Sequence, residues 1–542
     1  FESAKLLGAT PYFIGYGATG VTSNGSFAKF SDAIDHLSKL RGDNEEIKPR
    51  EIVINHGYND GAATFEADLR AALEKLTARF ADTPIYYVIP FAQKNADAIR
   101  TVCGEFDAVS VIETESLSVE YGTDGIHPTA NGAKTAGKYV AKAIEKARLS
   151  TSKYADYIEY GKSLQNIHHK LLTDKTANIA YYGGSITQGY GASDRNNIWR
   201  NRTKQWFKEH YPDAEINEIY ACFGESGTYL GTYLLDDYVL SQNPDLVFLE
   251  YAINDRYAAL TEEQSKIQIE TIIRTIKERF PKCDIVMLIT IDSGTSGANW
   301  LFPAAKAHSE IAKAYNVPVL FMGHALSDYL NTLRKTDLSE AFEYNDSLWL
   351  EYFIDIVHPT DKGYLFYTDV IFEYLNNELL AGVLEDEYLP DDTLPELVSD
   401  HLADGDRKLI LLDEESISEC DKSVWSYEAG AWLDDRNLRQ NGTATADLSK
   451  NPTLVYRFTG TELAMYTNIK SGTVSFTYTV DGGEAQTGTF KSHNPTPVVS
   501  GLSSGEHVIR ITPSVSEAAS VGISQWKISL ILTRDESKQT TK

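Results

Sequence analysis

At 542 residues the chain exceeds the roughly 100–200 residues of an ordinary domain, so it is read as several. Its 50 basic and 77 acidic residues give a formal net charge of −27, a balance that excludes nucleic acid and anionic membrane surfaces as partners. No apolar run approaches the roughly 20 residues of a bilayer span. The four cysteines (Cys103, Cys222, Cys283 and Cys420) form no CxxC or Cys/His cluster, which excludes a structural zinc site and reads as buried free thiols.

In chain order, the first 150 residues carry short apolar runs at 10–17 (TPYFIGYG), 51–55, 84–89 and 108–113, then a helical pattern near 130–148. The next stretch repeats that order more strongly, with runs at 178–183 (NIAYYG), 219–224 (IYACFG), 245–253 (DLVFLEYAI), 284–291 and 317–322. Helical patterns such as 262–279 fill the gaps, and the alternation predicts parallel sheets flanked by helices. The likeness reaches local sequence: FIGYGATGV at 13–21 matches YACFGESGT at 220–228, GYND at 57–60 parallels AIND at 252–255, and DGIHPTANG at 124–132 parallels DIVHPTDKG at 355–363. Two tandem copies of one domain are expected, over 1–150 and 151–384. An acidic, proline-containing linker over 385–407 leads to a Thr-, Ser-, Gly- and Val-rich segment, 408–535. There alternating runs at 453–458, 473–480, 507–512 and 526–532, with a hairpin signal at Asp481-Gly482, predict a β-sandwich.

One constellation carries chemistry. GGSITQGYG at 183–191 follows a strand-like run and opens a helical one, placing Ser185 at the carboxyl end of a strand, where reacting groups of parallel sheets gather. A serine hydroxyl needs a base to become a nucleophile; His358 is the candidate, with Asp355 three residues earlier to fix its tautomer. Acyl transfer also needs donors for a developing oxyanion, and Asn254 and Gly224 both sit at strand ends. Taken singly, GGS reads as a turn and DxxH as a loop with a capping Asp.

In this order the four elements resemble the four blocks of the SGNH (GDSL-type) hydrolase family, over about residues 175–375. The departures are Gly184 where the family has Asp, Ala252 where it has Gly, and Gly227 as an alternative to Gly224 in the second block. The resemblance implies two flavodoxin-like, three-layer α/β/α domains plus a jelly-roll-like sandwich. It also implies an acyl-enzyme mechanism on Ser185, His358 and Asp355, with an oxyanion hole from Asn254 and Gly224 and no metal or organic cofactor. The first copy keeps Gly17, Asn59, Asp124 and His127 but has no GxS block. Ser185 lies 39 residues before Gly224, so a matching serine would fall about 22 residues ahead of Phe1. A segment outside the given chain, or a partner strand, is expected to complete that domain and give a second site; a degenerate, structural domain is the competing reading. Gly15, Gly17 and Gly20 also spell GxGxxG, a dinucleotide fingerprint, but the pattern shared with 220–228 favours the second hydrolase block.

Tandem units with a sandwich resemble bacterial carbohydrate O-acetylesterases, which implies an acetylated oligo- or polysaccharide as substrate. Trp300, on a loop, is the expected substrate contact. A lipid or aryl esterase of the same family, and a carbohydrate-binding scaffold with relic domains, are the alternatives. Cytoplasmic and secreted locations both fit a chain that opens without a visible signal.

Overall fold

A parallel strand buried on both faces must be apolar throughout, and the run Thr176–Gly183 meets that demand with Ile179, Ala180, Tyr181 and Tyr182 fully buried. The computed structural model describes all residues except 1–2, 5–10, 12, 16, 27, 38–47, 62, 82, 151–152, 160, 163, 381–392, 404, 432–440, 492–494 and 537–542. Most of the acidic part of the expected linker therefore lies outside the described residues. Two units are distinguished: Phe1–Ala155 with Leu375–Asp386, and Asp156–Tyr374 with Glu387–Lys542.

The first unit holds a parallel sheet of three strands in the order β1 (Ile52–Ile54), β2 (Ile85–Val88), β3 (Val109–Ile112). Helices Phe65–Arg79 and Ala96–Cys103 bury Leu69, Leu73, Ile99 and Val102 against it. The expected strand over 10–17 is a correction: its described residues are not in a strand. The reason is pairing. The corresponding strand of the second unit bonds only to the strand that carries the GGS turn, and no such neighbour stands among the described residues of the first unit.

The second unit begins with a six-stranded sheet in the order β4-β9-β8-β7-β5-β6. Its strands are β4 (Ile158–Glu159), β5 (Thr176–Gly183), β6 (Glu215–Cys222), β7 (Leu246–Glu250), β8 (Asp284–Leu288) and β9 (Val319–Leu320), all parallel except β4. Helices Thr228–Tyr238, Glu262–Arg279 and Pro303–Ala314 pack side by side. Trp199–His210 and Asp361–Leu375 meet through Trp206 and Phe372, and right-handed crossovers place these two groups on opposite faces of the sheet. Because β6 leaves β5 on one side and β7 on the other, the chain switches direction at β5, opening a crevice at its carboxyl end.

Among the described residues beyond 405 every strand pairing is antiparallel, and the one α-helix is the short Val515–Ser520. One sheet runs β11 (Trp425–Ala429), β12 (Gly442–Asp447), β19 (Gln525–Asp535), β14 (Glu462–Thr467), β17 (Thr496–Val499), with β10 (Asp406–Leu411) also on β19. The other runs β13 (Leu454–Thr459), β18 (Glu506–Pro513), β15 (Ser475–Val480), β16 (Gln486–Thr489). Asp481 and Gly482 both take positive φ, +53° and +74°, and Gly483 N–H closes on Val480 O, the twist a hairpin after β15 requires. Cys103 sits in the core of the first unit, Cys222 and Cys283 in the parallel-sheet part of the second, and Cys420 in the sandwich; all four are buried free thiols. No helix among the described residues is long and apolar enough to cross a membrane.

Candidate active site

Ser185 opens a single helical turn, Ser185–Gln188, directly after β5. The turn ends at Gly189, whose φ of +103° is a conformation that L side chains rarely adopt. Gly184 is required by crowding: a Cβ there would stand 2.6 Å from Nδ2 of Asn254, so the amide occupies the space a side chain would need. Ser185 Oγ lies 2.9 Å from His358 Nε2, and His358 Nδ1 lies 2.7 Å from Asp355 Oδ2. The other Asp355 oxygen accepts the N–H groups of Val357 and His358, each at 2.8 Å. Partial burial pushes the Asp355 carboxyl up, but the bonds from the His358 ring and these two N–H groups outweigh it and hold Asp355 below the usual carboxylate range. The loop is fixed from below by buried Trp349, which stacks on Phe353 at 3.9 Å and donates its indole N–H to Asp355 O at 2.9 Å.

Opposite this dyad, the chain leaves β6 in a tight turn in which Ser226 N–H bonds to Phe223 O and Glu225 is left-handed at φ +61°. Gly224 lies inside that turn, and its N–H meets no acceptor among the described residues. Gly227 instead caps helix Thr228–Tyr238. Buried Asn254 donates one amide hydrogen to Ser226 O at 2.8 Å. Its neighbour Asp255 accepts Thr228 N–H and Oγ1, both at 2.7 Å, and pairs with buried His308 at 2.9 Å, tying the helix that carries Asn254 to the turn that carries Gly224. The arrangement can move a proton off a serine hydroxyl and offer N–H groups to an oxyanion.

The first unit repeats the frame. Asn59 donates to Thr19 O at 2.9 Å as Asn254 does to Ser226 O, and Ala18 is left-handed at φ +58° like Glu225. Asp60 accepts Val21 N–H as Asp255 accepts Thr228 N–H. His127 Nδ1 lies 2.6 Å from Asp124, but the His127 side chain is 83% exposed against 20% for His358. Trp300 does not touch the Ser185 group; it is half-buried, stacked on His324 at 4.1 Å and edge-on to Phe321.

Two residues were not foreseen from sequence. Tyr190, 56% exposed, sets its ring 4.5 Å from that of His358; its signal was an aromatic one residue past the GGSITQG turn. Glu250, 1% exposed, lies beneath the turn; its signal was a lone acid inside the apolar run DLVFLEYAI. Among the described residues, no group of three or more His, Cys, Asp and Glu side chains is placed to hold a metal ion.

Residues 181–365 match the model of the GDSL-like lipase/acylhydrolase family. Among solved structures the chain is similar to a two-domain esterase active on acetylated mannans, at 20% identity and a TM-score of 0.55, covering 71% of this chain and 99% of that one. The same esterase co-crystallised with mannopentaose gives 19% identity, a TM-score of 0.54, and the same shares of the two chains. An acetylxylan esterase from Geobacillus stearothermophilus is matched at 14% identity and a TM-score of 0.30, over 39% of this chain and 97% of that one. No curated protein sequence matches the chain. Residues 181–365 form a domain of the GDSL-like lipase/acylhydrolase family, and the protein is a carboxylic ester hydrolase.

Proposed function

We propose that the protein removes acyl groups, acetyl foremost, from carbohydrate, through an acyl-enzyme formed on Ser185. The observation that carries the reading is the unbroken chain Ser185 Oγ, His358 Nε2, His358 Nδ1, Asp355 Oδ2, with steps of 2.9 and 2.7 Å at the carboxyl end of β5. Ser185 attacks the ester carbonyl while His358 takes its proton, and Asp355 stabilises the imidazolium. Gly224 N–H and the second amide hydrogen of Asn254 hold the oxyanion; His358 returns the proton to the leaving alcohol, and water then releases the acid. The likeness of fold to an esterase active on acetylated mannans supports a carbohydrate ester, and the exposed ring of Tyr190 beside His358 offers a sugar a flat apolar face. Asn59, Asp124, His127 and Gly17 would form a second site only with a serine-bearing segment.

The test is acetate release from a chromogenic acetate and from acetylated mannan, xylan, pectin and sialoglycans. Turnover of the chromogenic ester and of at least one glycan is expected, with Ser185→Ala slower by on the order of 10⁴-fold or more. An unchanged rate in Ser185→Ala would overturn the mechanism; hydrolysis of the small ester with no glycan in the panel deacetylated would overturn the carbohydrate assignment.

A further inference from the structure

We propose that Glu250 is a positioning residue that holds the Ser185 turn in its reactive place, an inference that rests on Ser185 being the nucleophile. Glu250 ends β7, beside β5, with its carboxyl in the interior under the turn. Thr187 Oγ1 donates to one carboxyl oxygen at 2.9 Å, and Thr290 Oγ1, just beyond β8, donates to the other at 3.0 Å. The backbone N–H of Gly184 faces the same carboxyl and favours its charged form. Gly184 and Thr187 straddle Ser185, and Thr290 ties the same carboxyl to the neighbouring strand end. The turn has no side-chain cap of its own, since Gly184 carries none and a Cβ there would collide with Asn254. Glu250 supplies from beneath the fixation that a cap would supply from the front.

The groups facing the carboxyl include Asp255, Cys222 at the end of β6, and Tyr364 and Tyr367 on the helix Asp361–Leu375; Arg200, which donates to Thr187 O at 3.3 Å, is paired with Glu218. Burial outweighs the hydrogen bonds that favour the charged form, and the carboxyl is pushed up to about 7. The ionised form can accept from both threonine hydroxyls at once, whereas the protonated form must place its own O–H against one of them. The threonine so met must turn its hydroxyl round, and where it is Thr187 the turn loses that tie.

The experiment measures the rate of phosphonylation by a serine-reactive aryl phosphonate across pH 5.5–9, with the labelled residue located by mass spectrometry, in the full chain. Glu250→Gln, which keeps the shape but turns an amide N–H toward a donor, is expected to slow labelling of Ser185 roughly 10- to 100-fold, the scale of a small misplacement. Its profile is expected to lose the part of the wild-type pH dependence that this carboxyl contributes, keeping the part set by His358 as base. Thr187→Val is expected to slow labelling as well, with Thr187→Ser recovering the rate, which keeps the inference testable if Glu250→Gln does not fold. Equal labelling rates and pH profiles in wild type, Glu250→Gln and Thr187→Val would overturn the positioning role. Labelling at a residue other than Ser185 in the wild type would overturn the nucleophile assignment itself.

Discussion

A side-chain amide nitrogen carries two hydrogens, and Asn254 spends one of them on Ser226 O, which locks the plane of the amide beside the Gly184–Ser185 peptide. The other hydrogen is the one the proposed reaction uses, already oriented before any ester binds. Asn254→Ala is therefore expected to lower kcat by about 10²–10³-fold, or about 2.7–4 kcal/mol, with KM on a small acetate changed much less. A matched loss in both parameters would mean that the amide acts on the ground state instead. At this scale the grouping of Ser185, Asp355 and His358, with Asn254 against Gly184, was legible because the chemistry proposed for them constrains residue type and spacing at once. Glu250 and Tyr190 were harder to read, since one looks like an irregularity in a strand and the other like an ordinary loop aromatic. Gly224 was preferred to Gly227 on motif position alone; that Gly227 caps a helix is visible only in the backbone.

The elements show where periodicity suffices. Helix 262–279 begins and ends where its pattern predicts, as Glu262–Arg279, because Thr261 and Gln264 close a capping box at its start. The run 10–17 misled because apolar alternation reports a willingness to pair and cannot report whether a neighbour is present. The join between the helix after the Gly224 turn and the sandwich was invisible in sequence, since it links residues more than two hundred positions apart. Glu462, at the start of β14, accepts Tyr233 OH at 2.6 Å and pairs with Arg534 of β19 at 2.8 Å; both charged groups are largely buried. Removing one member of a buried pair leaves the other poorly compensated, so Glu462→Ala is expected to cost about 3 kcal/mol and lower the melting temperature by several degrees. A melting curve identical to the wild type would show that the pair adds nothing to the join.

For the molecule as a whole, the net charge of −27 suggests a protein that gains stability as its carboxylates are protonated, yet the buried groups differ in sign. Asp60 and Asp355 lie below the carboxylate range when folded, so they contribute stability that is lost as pH falls through their folded values. Glu250 works the other way. Raised from 4.5 to about 7, it binds its proton more tightly in the folded chain, so its contribution is full below about pH 4.5 and is lost as pH climbs to 7, by about 3 kcal/mol in all. Wild type is thus expected to lose more melting temperature between pH 5 and pH 8 than Glu250→Gln does, and parallel curves would refute the assignment. The four thiols have a different consequence. With no disulfide and a single cysteine or pair in each of three separate cores, the chain carries its own reporters of unfolding: a maleimide pulse followed by peptide mapping reads, from Cys103, Cys222 with Cys283, and Cys420, the order in which the three hydrophobic interiors open.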